Sequence, residues 1–91
     1  MSITHGMDPD QVEQLGGRIN SEAQNLQALM TKLDGLVQSM QNNWKGTDSD
    51  RFATEYTGQY RGQINAAVQQ LEALSQTAIR NANEQRQTSG S

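Results

Sequence analysis

Apolar side chains recur along the first half of this chain at Val12, Leu15, Ile19, Leu26, Leu29, Leu33, Leu36 and Met40. The steps between them are three or four residues, with one step of seven across Glu22. That spacing puts them on one face of a helix. A second row, Gly16, Ala23, Met30 and Val37, runs beside the first at intervals of seven. The apolar face is therefore wider than a seam between two helices needs. The second half repeats the pattern: Tyr60, Ile64, Ala67, Leu71, Leu74 and Ala78 advance by three or four residues. Phe52, Ala53 and Tyr56 lead into it.

Local signals set the ends of these helices. Asp8-Pro9-Asp10-Gln11 reads as a helix start, with Asp8 as cap and Pro9 at the first helical position. The first helix is expected over 8–42. Gly16-Gly17 and Gly35 weaken it by about 1 kcal/mol each relative to Ala, unless they permit close helix approach. Thr47-Asp48-Ser49-Asp50 restarts a helix, with Thr47 or Asp48 capping, and the second helix is expected over 48–84. Residues 1–7 read as a flexible arm. Residues 85–91 contain no apolar side chain and read as a disordered tail.

A short connection between two long helices makes them antiparallel neighbours. The expected fold is all-α, an antiparallel helical hairpin over 8–84 that dimerises into a four-helix bundle. The long row from Val12 to Met40 is expected to face Ile64, Ala67, Leu71 and Leu74. The second row, Gly16, Ala23, Met30 and Val37, is left over as the expected dimer interface.

The turn is Asn43-Trp44-Lys45-Gly46-Thr47. Trp44 is the only tryptophan in a chain whose aromatic content is 4%. Gly46 supplies backbone freedom for leaving one helix and entering the next. Phe52 and Tyr56 follow at spacings that let them share a face with the turn. Trp44, Gly46, Phe52 and Tyr56 are thus the candidate partner-binding residues. Two roles compete for Trp44: a ring that clamps the bend, and one wall of a groove that takes a partner's tail. The Gly58-x-x-x-Gly62 spacing is read either as two tolerated glycines or as a flat patch for close approach.

Composition excludes more than it assigns. The chain has 91 residues, enough for one small domain, and a net charge of −3. There is no basic cluster to hold nucleic acid. No apolar run approaches the ~20 residues of a membrane span, so stable membrane insertion is not expected. Met1 to Gly6 lacks the basic and apolar regions of a secretory signal peptide. Cysteine is absent. No nucleophile–base pair is evident, and His5 sits in the polar arm. Asp8, Asp10 and Glu13, and Asp48, Asp50 and Glu55, gather at two helix starts, where capping and the helix dipole account for them. No enzyme activity, metal or cofactor is expected.

Trp44-Lys45-Gly46 between two helices, Phe52 shortly after it, the chain length and the missing signal peptide together resemble the WXG family, the small early-secretory-antigen-like substrates of type VII secretion. The resemblance covers about residues 7–85. It implies a bacterial, non-enzymatic helical hairpin that pairs with itself or with a second WXG-type protein. It also implies export from the cytoplasm through an ATPase-driven machine, and work as adaptor or chaperone for a co-secreted toxin. Many family pairs carry a Tyr-x-x-x-Asp/Glu export signal after the second helix. Here Glu84 fills the acidic position but Arg80 stands in place of the tyrosine. The resemblance then implies either the partner that lacks the signal or export on another chain's tail. An intracellular helical interaction module is the competing reading.

Overall fold

The computed structural model describes residues 8–90. His5 and the rest of the expected arm, with Ser91, lie outside them. Helix α1 spans Pro9–Asn43, α2 Thr47–Glu55 and α3 Arg61–Gly90. A π-helical turn, Tyr56–Tyr60, joins α2 to α3. These last three pieces form one arm that returns antiparallel along α1. No strand occurs among the described residues. The hairpin measures 66 × 17 × 16 Å, with a radius of gyration of 20.0 Å. A compact chain of this length would have about 12 Å, so the molecule is a rod without a central core.

The start of α1 follows its sequence signal. The Asp8 carboxylate accepts from the backbone N–H groups of Asp10 (3.1 Å) and Gln11 (3.3 Å). Pro9, at the first position, has no N–H to satisfy. At the other end, α3 continues to Gly90, beyond the end expected at residue 84. Arg86 explains part of the extension. Its guanidinium donates to Asp10 (2.8 Å), Glu13 (2.6 Å) and Asn83 (2.8 Å), tying the expected tail to the first turns of α1.

The centre of the seam inside the hairpin is not the leucine row. Gly16, Ala23 and Met30 are the buried residues of α1, with Ala23 at 0% and Met30 at 5% exposure. Val37, next in that row, is half-buried. From α3 come Val68, Ser75 and Ala82, again seven apart and buried. The expected assignment therefore holds only in part: Val12, Ile19, Leu26 and Leu33 are half-buried, as are Ile64, Ala67 and Leu71, but the second row fills the centre. Leu15, Leu29 and Leu36 are exposed, Leu36 to 60%, and so is Leu74. The reason is size. A Cβ placed on Gly16 would sit 2.9 Å from Cγ1 of Ile79 and 3.3 Å from the Ser75 carbonyl oxygen. The Ser75 hydroxyl donates to the Gly16 carbonyl at 2.6 Å. Backbones this close leave room only for small side chains between them.

The π turn produces the second departure. Ser49 and Tyr56 are buried seven residues apart, which is the heptad phase of α2. Continued as an α-helix, a step of four from Tyr56 and then steps of seven would turn Tyr60, Ala67 and Leu74 toward α1. Instead the Arg61 N–H bonds back five residues to the Tyr56 carbonyl, which inserts one extra residue. Everything downstream is rotated, so Arg61, Val68, Ser75 and Ala82 take the seam and Tyr60 and Leu74 are left exposed. Ile64, Leu71 and Ala78 lie at the boundary and are half-buried.

Candidate partner-binding site at the turn

Helix α1 ends because Trp44 leaves helical geometry for extended backbone, at φ −138° and ψ 105°. Two residues later Gly46 has φ 124° and ψ 179°. This conformation is open to glycine alone, and a side chain there is strained by roughly 1–3 kcal/mol. Gly46 also caps α2. Its carbonyl accepts from the Asp50 N–H at 3.2 Å, and no side chain caps this end. The expected cap, Thr47 or Asp48, is replaced by backbone. Thr47 is the first residue of α2, and Asp48 and Asp50 place negative charge in its first turn.

The Gly46 bend brings Trp44 back onto Phe52. Their ring centroids are 5.9 Å apart, tilted at 47°. Trp44 stays 40% exposed and Phe52 38%. The pair therefore closes the bend and also presents aromatic surface at the tip of the rod. Tyr56 is not part of this surface. It is buried, and its hydroxyl donates to Asp34 Oδ1 (2.8 Å), with the Met30 carbonyl 3.4 Å away. The candidate quartet thus divides into Trp44, Gly46 and Phe52 at the tip and Tyr56 inside the hairpin. Gly58 and Gly62 are open to solvent, and a Cβ added at either would meet nothing within 4 Å.

Tyr56 belongs to a cluster that sequence reasoning missed. The Arg61 guanidinium grips Asp34 with both edges, Nε to Oδ1 at 2.9 Å and Nη2 to Oδ2 at 3.1 Å. Asp34 therefore binds Tyr56, the first residue of the π turn, and Arg61, the residue just after it. This carboxylate holds the turn in its five-residue register. The Arg61 bonds, then the Tyr56 bond, hold the Asp34 pKa below its usual value. Burial, then the bond to Asp34, pushes the Tyr56 hydroxyl up.

These shifts set the pH dependence. A carboxyl with a lowered folded pKa stabilises the fold fully above its unfolded value, and this is lost as pH falls through the folded one. The raised Tyr56 group works the other way and loses its contribution as pH rises past about 10. Asp34→Asn should therefore lower the thermal midpoint at neutral pH. The gap to the native chain should close as pH drops below about 4. Melting curves followed by circular dichroism across pH 2–8, a range chosen to bracket about pH 4, check this; a gap that stays constant with pH would refute it.

Of the row expected as dimer interface, Gly16, Ala23 and Met30 are buried within the hairpin and Val37 is half-buried near Tyr56 and Arg61. The exposed apolar side chains of α1 are Leu15, Leu29, Leu36 and Met40 of the leucine row. Among the described residues no three His, Cys, Asp or Glu side chains gather into a metal site, and no helix is long and apolar enough to cross a membrane.

Compared with known families, residues 6–88 match the model of WXG100, proteins of 100 residues with WXG. The chain belongs to the WXG100 family. No curated protein and no solved structure matches it. Membership makes this a small helical-hairpin protein related to type VII secretion, from a family whose members are secreted without a signal peptide and pair with themselves or with other WXG proteins. The Trp44-Lys45-Gly46 motif of this WXG100 protein is the tip just described. Arg80 and Glu84, at the positions of the family's export signal, are exposed on α3.

Proposed function

We propose that this WXG100 protein is a non-enzymatic substrate of a type VII system, exported as a dimer, that serves as adaptor or chaperone for a co-secreted effector. The observation that carries the reading is the tip. Gly46 bends the chain so that Trp44 and Phe52 close the turn yet keep more than a third of their surface open. An indole with a free edge and one N–H donor suits a partner's docking segment. The dimer partner is a second copy or another WXG-type chain, and the tip meets the tail of another chain or of the secretion ATPase.

Fractionation of a producing culture into cells and supernatant, with a cytoplasmic marker for lysis, tests this. The native chain is expected in the supernatant. Trp44→Ala should lower its export by at least about tenfold, with helix content preserved. Normal export of a folded Trp44→Ala chain would remove the tip from the mechanism. Retention of the native chain inside cells would overturn export and leave an intracellular interaction module.

A further inference from the structure

The π turn stores one residue more than a continuous α-helix would need. The buried row of α2 ends on Tyr56, the row of α3 starts at Arg61, and the Asp34 carboxylate holds both. Residues five apart on an α-helix point about 140° away from each other, so one carboxylate reaches both only while the turn is π. The middle of the turn is open. Thr57, Gly58 and Gln59 are exposed, and a Cβ on Gly58 would meet nothing within 4 Å.

A second row lies beside the first on α3. Tyr60, Ala67 and Leu74 precede Arg61, Val68 and Ser75 by one residue each. Relaxation of the turn to an α-helix would rotate α3 by about 100° and exchange the two rows. Tyr60 and Leu74 carry more apolar surface than Arg61 and Ser75, so burial favours the exchange. Two contacts oppose it. Ser75 donates to the Gly16 carbonyl at 2.6 Å, where the backbones are too close for a leucine. Arg61 grips Asp34 through Nε at 2.9 Å and Nη2 at 3.1 Å, and the rotation would carry it away.

We propose that the π turn is a register switch set by Asp34, with two packings of one sequence on either side of it. While the carboxylate is engaged, Val68, Ser75 and Ala82 face α1, and Tyr60 and Leu74 stand on the surface. Without it, the balance moves to an α-helical turn. Tyr60, Ala67 and Leu74 then enter the seam, and the arms part around Gly16 to admit Leu74. Asp34 thus decides which row of α3 is on the surface. The switch stands whether or not the chain is exported, because both registers leave α2 and the Trp44–Phe52 tip as they are.

The chain has no cysteine, so single substitutions report the two rows. Val68→Cys and Leu74→Cys are labelled with a thiol reagent under native conditions, at dilutions where the rates no longer depend on protein concentration. Val68 is 4% exposed and Leu74 54%, so the second should react far faster. Adding Asp34→Ala should move the equilibrium toward the α register by about tenfold or more. That raises the Val68→Cys rate and lowers the Leu74→Cys rate. A rise at both sites is loosening of the whole hairpin and would overturn the switch, as would two unchanged rates. Deletion of Gln59 tests the stored residue by itself. It sets Tyr56 and Arg61 four apart, where an ordinary α-helix aims both at Asp34, and it keeps Val68, Ser75 and Ala82 on α1. That chain should melt no lower than the native one. Deletion of Gln70 instead puts Val68 and Ser75 out of step and should lower the thermal midpoint by about 10 °C or more. Loss of the fold on deletion of Gln59, or equal losses for the two deletions, would overturn the proposal.

Discussion

Met30→Ala should lower the unfolding free energy by about 2–5 kcal/mol, the range for truncating a buried methionine. Leu29→Ala, one residue away, should change the stability of the isolated hairpin by only about 0.5 kcal/mol. Met30 is 5% exposed and lies in the middle of the seam, beneath the Tyr56 hydroxyl that approaches its carbonyl. Leu29 is 48% exposed. A rod with so few buried side chains has little reserve, and small domains hold only about 5 kcal/mol in all. Met30→Glu adds an unpaired buried charge and should leave no folded hairpin. Denaturant titrations over a dilution series, extrapolated to zero protein concentration, separate hairpin stability from pairing. Equal losses for Met30→Ala and Leu29→Ala in that limit would show the seam to be misplaced.

Gly16→Leu is expected to be as damaging, for the opposite reason. Here the backbones are too close for a side chain. Even a Cβ would lie 2.9 Å from Ile79 and 3.3 Å from the Ser75 carbonyl oxygen. A full leucine must push the arms apart, and that breaks the 2.6 Å bond from Ser75 to the Gly16 carbonyl. Overpacking of about 1–3 kcal/mol and a stranded buried hydroxyl of about 1–3 kcal/mol act together. Gly17, the next residue, has nothing within 4 Å of its Cβ position. Gly17→Ala should therefore stabilise the helix by about 1 kcal/mol. Opposite signs at adjacent glycines, read from thermal midpoints, are the signature of close approach at Gly16. Two shifts of the same sign would contradict it.

The helices were legible because their signals are local. Asp8-Pro9 starts α1, Gly46 bends the chain, and apolar spacing of three and four marks the arms. The choice between the two apolar rows was not legible. Hydrophobicity alone favours burying leucines over glycine and alanine. Only the distance between the arms reverses that choice, and distance is a property of both arms together. The π turn was hidden for a related reason. Tyr60, Ala67 and Leu74 keep a sound heptad in sequence, yet one inserted residue leaves Tyr60 and Leu74 exposed and Ala67 only half-buried. The Asp34 cluster left a faint trace, a carboxylate four residues after buried Met30 with Tyr56 and Arg61 on either side of a glycine-containing turn. At the tip, Trp44, Gly46 and Phe52 were readable as neighbours in space. Tyr56 was misplaced because its hydroxyl is drawn inward to Asp34.

The order of cross-arm contacts bears on how the chain closes. Trp44 meets Phe52 across a very short loop. Tyr56 then reaches back 22 residues to Asp34, Ser75 reaches 59 to Gly16, and Arg86 reaches 76 to Asp10. Closing a long loop in one step costs entropy before any contact compensates for it. Here each contact shortens the loop that the next must close, so the search is split into small increments that begin at Trp44. Such a rod zips from its tip, and its open end, clasped by Arg86, is the last part to close and the first to fray.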